Sequence, residues 1–274
     1  MTQAGTIEEV FQAIQRVKAV APDFRTNFYP AQKKLAAWIQ RGDLTIKECD
    51  GAAIFLRRDR DLEHLYFCAA DIAALRRELP EISSLRSGRV VTDVIGDETA
   101  LKEILESLEL AGFRRYSRLQ RMARAAGSTP DKVSPADAPV FFADAADEGP
   151  VLELLENSFN RCADQLPAPY EIAEAIGSKQ IFAIKSDGEL AAMLHFETQG
   201  MTSSIRYWVV AAGFQSRRLG ASLIRHYFAS QAGVRRFLLW VNAGNENAVA
   251  KYCHYGYSAD GLIDHVLASA RIAA

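Results

Sequence analysis

The sequence has no excess of charge of either sign: 32 Lys and Arg stand against 34 Asp and Glu, a formal net charge of −2. Without a polybasic field nothing would hold a nucleic-acid backbone or an anionic membrane surface, so neither is expected as a partner. No apolar run approaches the roughly 20 residues of a membrane helix. Residues 1–20 are amphipathic and polar, without the apolar segment of a signal peptide, and the expectation is a cytoplasmic protein. Cysteine is scarce, and Cys49, Cys68, Cys162 and Cys253 form no C-x-x-C pair. That excludes the usual zinc cage and disulfide framework, so no metal site is expected and the four are read as buried thiols. What is present is ordinary for a globular chain: 49% hydrophobic, 24% charged and 9% aromatic over 274 residues, a length that favours two cores over one.

Residues 125–139, AAGSTPDKVSPADAP, have no apolar periodicity and read as a linker. The expected division is therefore a domain over 1–124, the linker, and a domain over 140–274. Charge does not separate them by role: 20 basic against 18 acidic residues precede the linker, and 12 against 16 lie from there to the end.

The C-terminal half alternates in type. The patterns predict a strand at 140–143, helices at 148–159 and 170–176, and strands at 180–185, 190–198 and 204–210 with turn signals at Asp187-Gly188 and Gly200. They continue with a helix at 217–231, a buried strand at 237–241, a helix at 245–254, and strands from Tyr257 onward. The N-terminal half reads similarly: helices at 7–17 and 31–40, strands at 44–48, 52–57 and 62–69, a helix at 72–79, a strand at 89–95, a helix at 99–111 and a strand at 113–123. Gly112-Phe113 mirrors Gly256-Tyr257, which suggests a divergent duplication. The fold class is α/β, of the α+β kind, with mixed sheets.

Two segments carry chemistry. VVAAGFQSRRLGASLI, residues 209–224, ends a strand, turns through Gly213 and opens a helix with Gly220, Ala221 and Ser222 in its first turn. Unpaired N–H groups and the positive end of the dipole make such a helix start an anion site, and Arg217 and Arg218 add charge. The second segment, NENAVAKYCHYGY, places Asn245, Ala248 and Tyr252 on one helical face, with Gly256 as the stop. A phenol there could donate to a leaving thiolate. Ordinary structural roles exist for all of these: Gly220 and Ala221 allow close packing, Tyr252 is a core aromatic, and the arginines are surface charges.

Together the segments resemble the general-control-related N-acetyltransferase (GNAT) superfamily. Its acyl-CoA loop reads [QR]-x-x-G-x-[GA] and its later strand and helix read N-x-x-A-x-x-x-Y-x-x-x-G-[FY]. Asn245, Ala248, Tyr252, Gly256 and Tyr257 meet the second pattern; Gln215 and Gly220 meet the first, with Arg218 where the family has its first glycine. The resemblance covers about 140–267 and implies tandem GNAT-like mixed-sheet domains, the second complete. The first lacks the loop, since ADIAALRRELPEISSLRSG stands in its place and Leu108 falls opposite Tyr252.

By the same resemblance Val209 and Val210 would run beside the pantetheine arm. Gln215, Ser216, Arg217, Arg218, Leu219, Gly220 and Ala221 would hold the diphosphate, Ser222 and Asn245 would contact the cofactor, and Tyr252 would be the general acid. The implied reaction moves an acetyl or other acyl group from acyl-CoA to the amine of a small or amino-acid-like acceptor by direct attack. The strand before the loop has no acid, so the base is assigned to Glu197 first and His195 second, which share one face of the preceding strand. Two other readings stay open: a Fem-type aminoacyl-tRNA-dependent transferase, and a non-catalytic module binding CoA or a protein partner.

Overall fold

The computed structural model describes residues 1–85, 89–127, 134 and 137–269. Most of the expected linker, residues 128–133 with 135 and 136, lies outside the described residues. The elements are Thr2–Gln3 (β1), Ile7–Ala19 (α1), Arg25–Thr26 (β2), Gln32–Gln40 (α2), Leu44–Cys49 (β3), Ala52–Asp59 (β4), Leu62–Ala69 (β5), Ile72–Leu85 (α3), Arg89–Gly96 (β6), Glu98–Leu110 (α4) and Phe113–Ala125 (β7). They continue with Phe141–Phe142 (β8), Glu148–Ser158 (α5), Arg161–Asp164 (α6), Pro169–Gly177 (α7), Ile181–Ser186 (β9), Glu189–Gln199 (β10), Thr202–Val210 (β11), Leu219–Ser230 (α8), Arg236–Asn242 (β12), Glu246–His254 (α9) and Ser258–Ser269 (β13).

The chain forms two compact units: Met1–Arg118 with Leu262–Ala274, and Leu119–Gly261. In the first the strand order is β1-β3-β4-β5-β6-β13, and in the second β7-β12-β11-β10-β9-β8. Each has one parallel step inside an otherwise antiparallel ladder, β5 with β6 and β11 with β12. The strands expected from Tyr257 onward are a single strand, β13, and it does not fold back on β12. Its later part pairs with β6 from Ile263 to Ala268, and the edge of β12 is taken instead by residues 119–125 of β7. Local pattern cannot foresee this exchange, because both partners are apolar strands of ordinary composition.

Local chemistry accounts for several boundaries. Thr6 caps α1 by accepting from the Glu9 N–H at 3.1 Å, and Asp97 caps α4 by accepting from the Ala100 N–H at 2.9 Å. Asp187 and Gly188 both take left-handed φ, +55° and +85°, which closes the β9–β10 hairpin with the twist its strands need.

Each unit buries both faces of its sheet. In the first, Ile54, Leu56, Leu65, Phe67 and Leu75 form one core with α4, while Val10, Val17, Leu35, Trp38 and Phe55 form the other. In the second, Leu194, Ile205, Leu223 and Tyr227 face α8 and α9, and Ile181, Met193, Tyr207 and Val151 face α5 and α7. Each fully buried aliphatic or aromatic side chain contributes about 1.5–3 kcal/mol. Cys68 and Cys162 are buried as expected, whereas Cys49 is half-buried and Cys253 exposed.

Asp264 on β13 and Asp93 on β6 are both buried. Desolvation, and then the charge of Asp93, hold the Asp264 carboxyl well above the usual range. A carboxyl whose folded pKa is raised stabilises the fold most below its unfolded pKa near 4, and that contribution is lost as pH rises through the folded value. Asp264→Asn is therefore expected to raise the melting temperature at pH 8 by about 2–4 °C per kcal/mol recovered, and to flatten its fall between pH 5 and 8. Melting curves across that range check it; a fall as steep as in the parent chain contradicts it.

Candidate active site

The site grows out of the point where β11 and β12 part. β11 pairs with β10 along its whole length, from Thr202↔Gln199 to Val210↔Ala192. With β12 it pairs only through Thr202↔Arg236, Ser203↔Phe237, Ser204↔Leu238 and Ile205↔Leu239. Residues 206–210 therefore leave one edge without a strand. The ladder with β10 is irregular at the same place: His195 stands opposite Tyr207 but Phe196 opposite Ile205, so Arg206 is an extra, bulged residue of β11. A bulge bends its strand and increases its twist, and this one sits where the two strands separate.

β11 then runs into a 3₁₀ turn, Ala212–Phe214, and a loop of unusual backbone. Ser216 has φ +72° and Arg218 has φ +58°. Arg218 is the residue before α8, and its side chain makes no capping bond. The predicted helix start at 217 is thus two residues early, and Arg217 and Arg218 belong to the loop. Arg218 adopts the left-handed conformation a glycine would take freely, at a cost of about 1–2 kcal/mol. Among the described residues, the N–H groups of residues 216–221 hydrogen-bond to no acceptor. Residues 215–218 are exposed, so the turn faces solvent. Consecutive free N–H groups at a helix start, with left-handed residues between them, form a concave anion cradle.

The other loop residues divide by role. The Arg217 guanidinium lies 5.0 Å from the Phe214 ring centroid, and its Nη1 is 3.5 Å from Ser186 Oγ. Arg218 pairs with no carboxylate among the described residues. Leu219 is buried in the core beneath α8. A Cβ on Gly220 would lie 3.4 Å from the Trp208 indole and 3.5 Å from Val210 Cγ2, so this glycine brings α8 close to the bare strand. Ser222 does not join the cradle. Its N–H donates to Arg218 O at 3.2 Å, and its hydroxyl accepts from the Ala138 N–H at 3.1 Å and donates to Asp137 at 3.3 Å. Arg225 also grips Asp137, which draws that carboxyl down to about 2. Residues 137 and 138 are thereby strapped to α8, a tie that nothing in the sequence signalled.

Tyr252 stands beyond Trp208 from the cradle. Its ring centroid is 5.6 Å from that of Trp208 and 6.1 Å from that of Tyr257. Burial pushes the phenol up to about 12, and its hydroxyl hydrogen-bonds no described residue. Trp208 thus touches the helix carrying the cradle on one side and the phenol on the other. Asn245 lies before α9 rather than on its face. Its Oδ1 accepts from the Ala248 N–H at 3.0 Å, which explains the Asn-x-x-Ala spacing as a helix cap and leaves its amide N–H groups for another partner. Gly256, at φ +81°, terminates the helix, with the Tyr257 N–H reaching back to Tyr252 O at 3.1 Å.

The candidate bases are on the opposite face. His195 is buried opposite Tyr207, in the core beneath α5 and α7, and Glu197 is two residues further on with an oxygen 3.7 Å from Arg206 Nε. Val209 faces this side and Val210 faces the Tyr252 side. The sheet separates both bases from Tyr252 except where β11 and β12 diverge. Sequence reasoning read Trp208 as core or pocket wall and missed its neighbours at that gap, Arg206 and Tyr207. Tyr207 donates to the carbonyls of Asp164 and Gln165 at 3.0 and 2.9 Å and tethers the short helix α6. An alternating apolar strand carries no signal for such a role.

No three potential metal ligands cluster among the described residues, and no described helix is long and apolar enough to cross a membrane.

Comparison with known proteins agrees with this geometry. The model of the acetyltransferase (GNAT) family matches residues 150–257, which include the bare strand, the cradle and Tyr252. Among curated proteins none matches the chain. Solved structures share the fold over nearly its whole length. A tandem GNAT protein from the clavulanic acid biosynthesis pathway, solved without acetyl-CoA, is 10% identical, with 97% of this chain and 96% of that one covered at a TM-score of 0.63. A GCN5-related N-acetyltransferase from Sphaerobacter thermophilus is 13% identical, with 96% and 91% covered at 0.59. Another from Kribbella flavida is 15% identical, with 86% and 95% covered at 0.55. The tandem mixed-sheet fold and the matched domain together mark this chain as an acyltransferase, with residues 150–257 similar to the GNAT acetyltransferase family.

Proposed function

We propose that the second unit takes acetyl-CoA, or another acyl-CoA, and passes its acyl group to the amine of a small or amino-acid-like acceptor by direct attack. The observation that carries this reading is the run of free N–H groups over residues 216–221, opening beside the bare edge of β11. The diphosphate sits on that run, with Arg217 and Arg218 adding charge. The pantetheine arm lies along residues 206–210 and takes the place of the missing strand, so that its amides pair with backbone groups β12 leaves unmet. Asn245 donates from its amide to the cofactor.

Once deprotonated, the amine attacks the thioester carbon with its lone pair, the C–S bond breaks, and the second proton, shed by the new amide nitrogen, passes through solvent to the thiolate, which accepts a hydrogen bond from Tyr252 as it leaves. An aliphatic amine near pKa 10.4 arrives protonated at neutral pH. Glu197, acting through water at the gap between β11 and β12, is the first candidate to take that proton, and His195 the second. Isothermal titration of the full chain with acetyl-CoA tests the cofactor half of the proposal. Saturable binding with a micromolar dissociation constant is expected, and no heat at millimolar ligand overturns it.

A further inference from the structure

The first unit repeats the divergent parallel pair, and there the gap is filled. β5 pairs with β6 only through Leu62↔Arg89, Glu63↔Val90 and His64↔Val91. Its other edge is covered from end to end by β4. Past His64, the edge that β6 abandons is met by the chain's own β2, with Arg25↔Ala69 and Thr26↔Cys68. The Asp23 N–H donates to Ala70 O at 3.1 Å and the Asn27 N–H to Phe67 O at 3.3 Å.

The side chain of Asn27 completes the closure. Its Oδ1 accepts from the Phe67 N–H at 2.7 Å, and its Nδ2 lies 3.3 Å from Leu65 O on β5, 3.0 Å from Thr92 Oγ1 and 2.9 Å from Asp93 O on β6. Thr92 donates to Leu65 O at 2.8 Å. Asn27 and Thr92 are both buried. One amide thus bridges the two strands where they separate and satisfies backbone groups on each.

The helix start beyond this strand differs in the same sense. α3 begins three residues after β5 ends, without an intervening loop. Its first turn is capped by Asp71, whose Oδ1 accepts from the Ala74 N–H at 2.8 Å. Where α8 offers unpaired N–H groups next to two arginines, α3 carries an anion of its own, which satisfies a donor and repels a second anion.

We propose that residues 25–27 occupy in cis the strand edge that a pantetheine arm would need in the first unit. Asp71 stands there for the phosphate, so each chain binds one acyl-CoA and binds it in the second unit. This rests on the cofactor reading of the second unit. The first unit is accordingly a self-satisfied copy of the cleft whose ligand has become part of the fold.

Hydrogen–deuterium exchange of the full chain with and without acetyl-CoA, together with native mass spectrometry, tests it. One equivalent is expected to bind, slowing exchange over residues 206–210 and 216–221 and leaving residues 65–69 and 72–75 unchanged. Two equivalents, or added protection over 65–69, overturn the proposal. If acetyl-CoA changes nothing anywhere, the cofactor reading has failed, and Asn27→Ala then decides the plug by itself. Exchange at the Phe67 amide should quicken by roughly tenfold or more, and an unchanged rate overturns the proposal. Should Asn27→Ala not fold, Asp71→Ala gives a second readout. Quicker exchange at the Ala74 amide supports it, and an unchanged rate overturns it.

Discussion

Arg218→Asp is expected to weaken acetyl-CoA binding by about 100-fold, close to 3 kcal/mol, while leaving the fold intact. The substitution removes one cation from the lip of the cradle and puts an anion where the diphosphate belongs. A carboxylate beside a helix start is itself favourable by about 0.3–1 kcal/mol, so thermal stability should hold or rise while affinity collapses. Aspartate also tolerates the left-handed backbone that Arg218 holds at φ +58°. Arg218→Gly is the companion test, because it removes the side chain, relieves the left-handed strain and keeps every N–H donor. Its affinity should fall by no more than about tenfold. If both variants bind acetyl-CoA as the parent does, the loop is not where the diphosphate sits.

Tyr252→Phe is expected to lower kcat by roughly 100-fold or more with the acetyl-CoA dissociation constant unchanged. The phenol sits in an apolar setting against Trp208 that pushes it up to about 12. It is therefore protonated throughout the working pH range, and no alkaline limb below about pH 11 should come from it. A group of that pKa is a weaker acid than a thiol near 8.5, so what it supplies is a hydrogen bond to sulfur as the C–S bond breaks. Full proton transfer to the free thiolate would be uphill. The pH–rate profile of Tyr252→Phe should thus keep the shape of the parent's at a lower height. An unchanged rate would remove the residue from the chemistry and leave it as a wall of the core.

Much of the scaffold was legible because local rules decided it. The bounds of β5, Leu62–Ala69, follow from an apolar run between turn signals, and those of α9 from Asn245 and Gly256, a cap and a left-handed stop. The cradle was legible as a strand, a loop and small residues. Its boundary was not, because Arg217 and Arg218 continue a helical pattern and only the tertiary position of the loop forces Ser216 and Arg218 to positive φ. Ser222 was placed in the anion site by proximity in sequence, yet Asp137, distant in sequence, turns its hydroxyl away.

What stayed hidden depends on partners distant in the chain. Asn27 reaches Thr92 and Asp93 across more than sixty positions, and β13 leaves β12 for β6. No window along the sequence contains both ends of such a contact. The bulge at Arg206, beside the second unit's gap, likewise exists only in the register between two strands.

The central claim is that backbone amides hold a diphosphate, and amide NMR of the full chain tests it most directly. Titration with acetyl-CoA should move the resonances of residues 216–221 strongly. Titration with acetyl-pantetheine, which lacks the diphosphate, should move those of 206–210 and leave 216–221 in place. Amides 216–221 that respond to neither ligand, while others report acetyl-CoA binding elsewhere, would contradict it.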